Sequence, residues 1–239
     1  MLKIIRHLIL FIIFALYPLS GFAKTPTLIN HFGNDLSYTF ASWPAFVIAG
    51  GALAAAELTQ ADDSIADHFK NGPYLGKADK VAGIVGEAYV VDTSSVVLYG
   101  IGKLIKDEKV ALTGETLFET LAITEVSTLG LKAAFRRSRP DGGNYSFPSG
   151  HAARCFAAAT VLQTLYGLPA GVPAYLVAAF ISFTRMDQNS HYASDVVFGA
   201  ALGSAIGWGT ALFHKKLGDK VIIVPTAFNG PGLTVNYRF

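Results

Sequence analysis

Apolar stretches rich in alanine and other small residues run through most of the chain and predict helices. The first is PAFVIAGGALAAAEL at residues 44–58, and two longer segments follow at 81–105 and 109–136. Three more uniformly apolar stretches come after them: HAARCFAAATVLQTLY, PAYLVAAFISF and SDVVFGAALGSAIGWGTALF. Because helix formers dominate and regular spacing of strands and turns is absent, we predict an all-α fold, a helical bundle of about six core helices.

Carboxylates interrupt the two long middle segments and bear on where these segments can lie. A carboxylate is costly at the centre of a bilayer, so we expect both segments to pack inside a protein bundle rather than to face lipid. The carboxylates concerned are Glu87, Asp92, Glu115, Glu119 and Glu125. The small residues of the later helices suit close packing in a soluble core or in a membrane. The pattern therefore leaves open whether the protein is integral to a membrane or soluble.

The first 23 residues have the layout of a secretory signal peptide. Lys3 and Arg6 precede the apolar run LILFIIFAL, and Gly21 and Ala23 provide small residues for cleavage after Ala23. An uncleaved anchor is the alternative, but the run is shorter than the about 20 apolar residues that a span needs. We therefore predict export across the inner membrane, to the periplasm or to an envelope membrane.

The C-terminal end changes character. In KVIIVPTAFNGPGLTVNYRF, β-branched and aromatic residues flank an Asn-Gly-Pro-Gly turn, which predicts a short β-hairpin. The chain is thus divided into a signal peptide (1–23), a helical domain (24–218) and a C-terminal hairpin extension (219–239).

Composition and charge exclude several classes of protein. Of the 239 residues, 51% are hydrophobic and 15% charged, which excludes a disordered chain. Without residues 1–23 the chain has 17 basic and 17 acidic residues, so nothing favours a nucleic-acid partner. Cys155 is the single cysteine, which excludes an intrachain disulfide. Its apolar surroundings predict a buried, unreactive thiol.

Three acidic residues between the first two helical segments do not form a calcium loop. Asp62, Asp63 and Asp67 are closely spaced, but the glycine and glutamate positions of such a loop are missing. We interpret them as the solvated, capped start of a short helix.

Three clusters of polar residues stand out, and the first is KAAFRRSRP. It contains Lys132 and Arg139, whose spacing of two helical turns allows both cations to share a helix face and reach one ligand. The neighbouring Arg136 and Arg137 pair with nothing in the other clusters, and we interpret them as solvated.

The second cluster, SFPSGHAA, is typical of a helix start. Ser149 and Gly150 would expose backbone N–H groups there, and a helix N-terminus favours a bound anion. His151, on the same turn, would face that anion. A helix cap with an incidental histidine is the alternative interpretation of this motif alone.

The third cluster, RMDQNSHYASD, contains Arg185, His191 and Asp195. On a helix the last two would project from one face, so that the carboxylate orients the imidazole and leaves one nitrogen free as base or nucleophile. Alone this pair is weak evidence, since charged neighbours at this spacing are common. Three cations converging near two histidines would be costly in a buried site unless an anion neutralises them.

The order, spacing and residue types of the three clusters together resemble the type 2 phosphatidic acid phosphatase superfamily. It includes lipid phosphatases of the bacterial envelope, secreted class A acid phosphatases and vanadium haloperoxidases. The resemblance covers about residues 80–213. It rests on ten identities: Lys132, Arg139, Pro140, Pro148, Ser149, Gly150, His151, Arg185, His191 and Asp195. One departure is Thr184, where the family usually has serine; threonine keeps the hydroxyl group.

The resemblance implies a helical bundle that hydrolyses phosphate monoesters through a phosphohistidine. His191 would attack phosphorus, Asp195 would orient His191, and His151 would protonate the departing alkoxide. A neutral His191 beside a protonated His151 predicts a bell-shaped pH dependence of kcat/KM. The phosphoryl oxygens would be held by Lys132, Arg139, Arg185, Ser149 and the Gly150 N–H. No metal or other cofactor is implied, and the sequence shows no separate carboxylate–histidine metal cluster.

The substrate class follows less directly. An apolar chain bound for the envelope favours a lipid phosphate such as phosphatidic acid, phosphatidylglycerophosphate, undecaprenyl pyrophosphate or a lipid A phosphate, with contact to a membrane. A soluble, nonspecific periplasmic acid phosphatase acting on small phosphomonoesters is the first alternative. A vanadium haloperoxidase is disfavoured by the chain length, and a non-catalytic phospholipid-binding or transport protein by the intact pair of His191 and Asp195. The oligomeric state stays open.

Overall fold

The structure is a computed structural model that describes residues 33, 35, 36, 38–40, 43–72, 74–218, 221–226 and 232–237, with side chains up to residue 215. The signal peptide predicted at 1–23 lies outside the described residues.

Helices make up most of the described chain, which confirms the predicted all-α fold. They are α1 (Pro44–Leu58), α2 (Asp62–His68), α3 (Lys77–Val85), α4 (Ala88–Ile105), α5 (Glu108–Phe135), α6 (Gly150–Tyr166), α7 (Leu168–Asp187) and α8 (Ala193–Gly218). In the region predicted as a C-terminal extension, strands β1 (Val221–Thr226) and β2 (Gly232–Tyr237) pair antiparallel.

The segment predicted as one helix at 81–105 is two helices. Gly86 ends α3, and Glu87 has an extended backbone (φ −68°, ψ 144°) before α4 begins. A Cβ at position 86 would lie 2.8 Å from His151 Cδ2 and 2.7 Å from Ile181 Cγ2, so the chain turns at a glycine. The turn between α3 and α4 thereby lies directly against His151.

Helix α8 packs against α6, α1 and α5 and forms the centre of the bundle. Its contact with α6 depends on Gly199, Gly203 and Gly207, which are spaced by one turn. A Cβ at Gly199 would lie 2.6 Å from the Ser149 carbonyl oxygen, and one at Gly203 would lie 1.9 Å from the Ala153 carbonyl oxygen. The two backbones therefore touch, as the small residues of these segments predicted.

We expect Gly203→Ala to destabilise the protein by about 1–3 kcal/mol, because the added methyl group forces α6 and α8 apart. The matched control is Gly130→Ala in α5, where a Cβ would have no atom of the described residues within 4 Å. That change is expected to be neutral or to stabilise by up to about 1 kcal/mol through helix propensity. Thermal unfolding in detergent measures both variants. Equal melting temperatures would show that the close contact between the two helices is absent.

A polar stripe of threonines runs along the buried side of α5. Thr116 and Thr124 each donate to the carbonyl oxygen four residues earlier, and Thr120 Oγ1 lies 2.5 Å from Thr210 Oγ1 of α8. A hydroxyl group that bonds its own helix backbone is satisfied without water. The stripe therefore lets α5 pack in the interior without a continuous apolar face.

Three described helices, α4, α7 and α8 up to Lys215, are long and apolar enough to cross a membrane, and α1 with α2, bent by 70°, forms a further candidate pair. Only 11% of the α4 window is buried, so the expectation that this segment packs inside a bundle is wrong. The reason is the placement of the carboxylates: Glu87 precedes α4, Asp92 lies in its second turn, and none follows within the helix. Large apolar side chains are exposed along α4 and α7, among them Val97, Ile101, Leu104, Leu168, Val172, Leu176 and Phe180.

Candidate active site

The three predicted clusters meet at one end of the bundle. The first lies at the end of α5 and in the loop after it, the second at the start of α6, and the third at the end of α7 and the start of α8. The backbone links two of them, because the Ser149 N–H donates to the Asp195 carbonyl oxygen over 3.0 Å. The prediction of a helix start at SFPSGHAA is confirmed: Ser149 is the N-cap of α6, and its Oγ accepts from Ala152 N–H at 3.5 Å.

His191 and Asp195 are in contact, but not through a shared helix face as predicted. His191 lies before α8, and its Nδ1 is 3.7 Å from Asp195 Oδ2. Ser146 completes the arrangement: its Oγ lies 3.4 Å from His191 Nδ1 and donates to Asp195 Oδ2 over 2.5 Å. All three side chains are buried. The carboxylate and hydroxyl groups therefore both face Nδ1, which directs the other nitrogen, Nε2, away from them.

Arg137 is a site residue that the sequence interpretation missed. It is only partly exposed, and its guanidinium is paired on both sides: its Nη1 donates to Asp195 Oδ1 and its Nη2 to Asp62 Oδ2, both over 2.8 Å. Its guanidinium also lies over the Tyr192 ring, 4.2 Å from the ring centroid. Asp62, 75 residues away in sequence, was predicted to be a solvated cap but is buried and also accepts from Ser194 N–H at 3.0 Å. Arg137 thus connects α2 to the carboxylate that faces His191.

The pKa of His191 is lowered from its ordinary value. Burial is the main cause, and the positive charges of Lys132 and Arg139 act in the same direction, whereas the hydrogen bond with Asp195 opposes them. A lowered pKa keeps the imidazole neutral into the acid range. A neutral imidazole is the form that can act as a nucleophile.

His151, in the first turn of α6, faces the turn between α3 and α4, with its Nε2 3.7 Å from Glu87 Oε1. Its pKa is lowered to about 3, mainly by burial and then by the charges of Arg185 and Arg154. In the substrate-free site His151 is therefore neutral, contrary to the expectation of a protonated acid. Burial accounts for most of the lowered pKa and the two arginines add to it, and the sequence could not reveal Arg154, which the clusters do not contain.

Arg185 lies against the last turn of α3. A Cβ at Gly83 would be 3.1 Å from its Nη2, so glycine makes room for the guanidinium. Thr184, the departure from the family pattern, accepts from Arg185 Nε at 3.3 Å and from Nη2 at 3.1 Å. Beside it, Asp79 is buried next to Asp187, and burial with that neighbour raises the pKa of Asp79 to about 6. The two hydrogen bonds to the Thr184 hydroxyl therefore hold the Arg185 guanidinium in place.

Lys132 and Arg139 reach the site by different routes from the one predicted. Helix α5 ends at Phe135, so Arg139 belongs to a loop and shares no helix face with Lys132. Arg139 Nε donates to the Asn144 carbonyl oxygen at 3.1 Å, and Lys132 Nζ donates to the Tyr145 carbonyl oxygen at 2.6 Å. Tyr145 has a left-handed backbone (φ 61°), a conformation that costs about 1–2 kcal/mol. Burial, with the charge of Arg139, lowers the pKa of Lys132 to about 8.

Two further features complete the surroundings of the site. Arg154 is buried beneath Gly150, where its Nη2 donates to Glu125 Oε2 and its Nη1 to the Gly86 carbonyl oxygen. A cleft of about 460 Å³ adjoins the site and is lined by Gly76, Asp79, Lys80, Gly83, Ile84, Glu87 and Gln188. Because Gly83 contacts Arg185 and Glu87 lies near His151, the cleft opens beside both residues.

Cys155 has no part in this chemistry. The thiol is free and buried in α6, and burial raises its pKa to about 11. The prediction of a buried cysteine is confirmed, and the raised pKa disfavours the reactive thiolate form.

Comparisons with known proteins agree with the motif analysis. The model of the PAP2 superfamily matches residues 115–219. The chain is 39% identical over 102 residues to the lipid A 1-phosphatase of Porphyromonas gingivalis, a match that covers 41% of this chain and 22% of that protein. It is 30% identical over 120 residues to the lipid A 4'-phosphatase of Helicobacter pylori, covering 45% and 58% respectively. The chain thus spans less than two thirds of the length of these relatives.

Two solved structures share the fold. The transmembrane PAP2-type phosphatidylglycerolphosphate phosphatase from Bacillus subtilis superposes with a TM-score of 0.63 at 19% identity, over 73% of this chain and 96% of that chain. LpxE from Aquifex aeolicus superposes with a TM-score of 0.51 at 25% identity, over 64% and 93%. The match to the PAP2 superfamily model thus extends over the segment that contains all ten motif positions, and the solved structures that share the fold include a PAP2-type phosphatase.

Proposed function

We propose that this protein is a membrane phosphatase that hydrolyses a lipid phosphate monoester through a phosphohistidine intermediate. The observation that supports this most directly is the buried group of His191, Asp195 and Ser146 within a ring of cations. A phosphate-binding protein without catalysis needs the cations but has no use for an imidazole oriented by a buried carboxylate.

The proposed reaction begins with the attack of His191 Nε2 on phosphorus. Asp195 and Ser146 hold Nδ1 and stabilise the positive charge that the ring gains as the P–N bond forms. His151 gives a proton to the leaving alkoxide as the P–O bond breaks. Water then attacks the phosphohistidine, with His151 accepting its proton, and inorganic phosphate leaves.

The charge on the phosphoryl oxygens is met by residues that approach from several sides. Arg185 comes from α7, Lys132 from α5 and Arg139 from the loop between α5 and α6, while the N-terminus of α6 presents the backbone N–H groups after Ser149. Fixed donors of this kind stabilise the transition state without reorganisation, and removing one typically reduces kcat about 10²–10³-fold.

The exposed apolar surface of α4 and α7 supports a lipid substrate. Helices of this length with large apolar side chains on the outside are suited to a bilayer, whereas a soluble phosphatase would expose such surface to water. The named relatives that act on lipid A phosphates favour the same class. A soluble acid phosphatase is correspondingly disfavoured.

The first test is phosphate release by the purified protein in detergent. We compare a lipid phosphate, such as phosphatidic acid or a lipid A phosphate, with p-nitrophenyl phosphate. We expect kcat/KM for the lipid to exceed that for the soluble ester by at least about 100-fold, because contacts with the lipid outside the phosphate contribute binding energy. Equal values would contradict the lipid assignment. Release of phosphate from neither substrate, combined with halide oxidation after loading with vanadate, would contradict the phosphatase assignment.

The lowered pKa of His151 gives a second prediction, for the pH profiles. A bound phosphate offsets the charges of Arg185 and Arg154, so substrate raises the pKa of His151 in the complex. As the pH rises above its pKa, His151 loses the proton that it must donate, and the rate declines. The pH profile of kcat/KM reports the pKa of His151 in the free enzyme, whereas that of kcat reports its pKa in the complex with substrate. We expect kcat/KM to decline with rising pH already at acid pH, and the decline of kcat to lie at least about one pH unit higher. Coinciding declines would contradict the role of His151.

A further inference from the structure

A buried cluster at the opposite end of α8 is separate from the phosphatase site. It consists of Asp35, ahead of α1, Glu119 of α5 and His214 of α8. His214 follows Asp195 by 19 residues on one helix, which corresponds to about 28 Å along the axis. None of the proposed catalytic steps involves this cluster.

The three side chains converge on one point. His214 Nε2 lies 2.8 Å from Glu119 Oε2 and 4.0 Å from Asp35 Oδ2, and one ligand atom of each residue lies within 4.8 Å of the others. Ligand atoms on a tetrahedral metal ion, bound at about 2.0–2.2 Å, lie about 3.4 Å from each other. The present spacings fall on either side of that value. Side-chain movements of less than about 1 Å would bring all three atoms into coordination distance.

Asp35 supplies an independent indication. The residue is fully buried, and within the part of the chain that the structure describes no N–H or O–H group donates to its carboxylate oxygens; its nearest polar neighbour is the carboxyl of Glu119, with which it can share only a proton. Buried carboxylates without donors are rare because the loss of hydration is costly. A ligand directed at this carboxylate would remove that cost.

Charge balance points to a divalent cation. Two buried carboxylates next to one imidazole carry two negative charges when ionised, which one M²⁺ ion neutralises while His214 stays neutral. Protons are the alternative: burial and the neighbouring Glu119 raise the pKa of Asp35 to about 10. Binding of a metal would therefore displace a proton from Asp35.

We propose that Asp35, Glu119 and His214 form a structural binding site for a divalent first-row transition metal ion. One imidazole and two carboxylates suit Zn²⁺, Mn²⁺ or Fe²⁺ rather than the softer ions that prefer thiolates. The ion joins the segment before α1 to α5 and α8. The sequence could not indicate the site, because Glu119 and His214 are 95 residues apart and Asp35 is a further 84 residues upstream.

The test uses the full chain purified in detergent. We first measure its metal content by mass spectrometry, then remove metal with a chelator and titrate the protein with Zn²⁺ and Co²⁺. We expect about one bound ion per chain, visible Co²⁺ absorption bands typical of a protein site, and a rise in Tm of about 5–10 °C with Zn²⁺ at a hundred times its Kd. Failure of all three measurements on the unaltered protein would overturn the proposal in favour of a proton-bridged cluster.

Variants then locate the ion. Asp35→Asn and His214→Gln, which keep approximate side-chain shape, are expected to lose the bound ion and the rise in Tm. The matched control is Glu115→Gln, one turn before Glu119 on the same helix, which is expected to retain both. Retention of the ion by Asp35→Asn and His214→Gln would overturn the assignment, because the ion would then lie elsewhere. His191→Ala is expected to bind metal normally, so this proposal and the phosphatase proposal fail independently.

Discussion

Replacing His191 with alanine is expected to reduce kcat for phosphate release by at least about 10⁴-fold, because the proposed nucleophile is removed and the remaining cations can only bind the phosphate. The fold is expected to survive, since alanine is smaller than the imidazole and Asp195 keeps its hydrogen bonds to Arg137 and Ser146. The effect should fall mainly on kcat rather than on KM. Phosphate release under saturating lipid substrate measures it.

Trapping of the phosphohistidine intermediate is a second, independent test of the His191→Ala variant. Quenching of the unaltered enzyme and radiolabelled substrate in alkaline denaturant is expected to leave a phosphoenzyme that is stable in alkali and labile in acid, and His191→Ala should show none. The matched control is His68→Ala, an exposed histidine of α2, which should form phosphoenzyme and release phosphate at the normal rate. Persistent phosphoenzyme in His191→Ala would assign the nucleophile to another residue.

Replacing Arg137 with methionine is expected to destabilise the protein by about 3 kcal/mol and to reduce kcat as well. The change leaves two buried carboxylates, those of Asp62 and Asp195, without their shared cation. Breaking a buried ion pair costs about 3–5 kcal/mol, and the partial exposure of the guanidinium places the expected value at the low end. Denaturant unfolding in detergent and steady-state kinetics measure the two effects.

Arg136→Met is the matched control for this change. Arg136 is exposed and its Nε donates to the carbonyl oxygen of Ala133 in α5, so we expect a change below about 0.5 kcal/mol and normal activity. A double variant separates positioning from general stability. If Arg137 acts through Asp62, Asp62→Asn combined with Arg137→Met should cost less than the sum of the two single changes. Equal costs for the two arginine variants would contradict the buried network.

The comparison of Arg137 with His191 shows which parts of the site the sequence reveals. His191, Asp195 and the cations belong to short motifs whose spacing survives in the chain, so they can be identified without a structure. Arg137 lies inside the first motif, but its role depends on an ion pair with Asp62, which lies in a segment without any motif. The sequence did not reveal Ser146 and Arg154 for the same reason, because their hydrogen-bond partners lie on other elements.

The sequence likewise predicted some helix boundaries and missed others. Apolar composition located α1 at its observed limits and α5 within one residue of them, because the polar residues that flank these helices are clear signals. Composition could not reveal the break at Gly86, which results from a tertiary contact with His151. Nor could the count of carboxylates indicate that α4 faces outward, since what matters is which turns of the helix carry them.

The close contact of α8 with α6 holds the candidate catalytic residues on one side of the site, while a different helix lines the cleft on the other side. On one wall, the backbone of α8 touches the Ser149 carbonyl at Gly199 and carries Asp195 one turn earlier, so main-chain contact fixes the geometry of the proposed phosphate transfer. The opposite wall is α3, which meets Arg185 and His151 through two glycines and otherwise lines the cleft. Substitutions of Lys80 and Ile84, which line the cleft on α3, can therefore reshape what enters it without altering the glycines that meet Arg185 and His151. Such a division would let one proposed catalytic apparatus acquire new substrates by changes confined to the cleft-lining side chains of a single short helix.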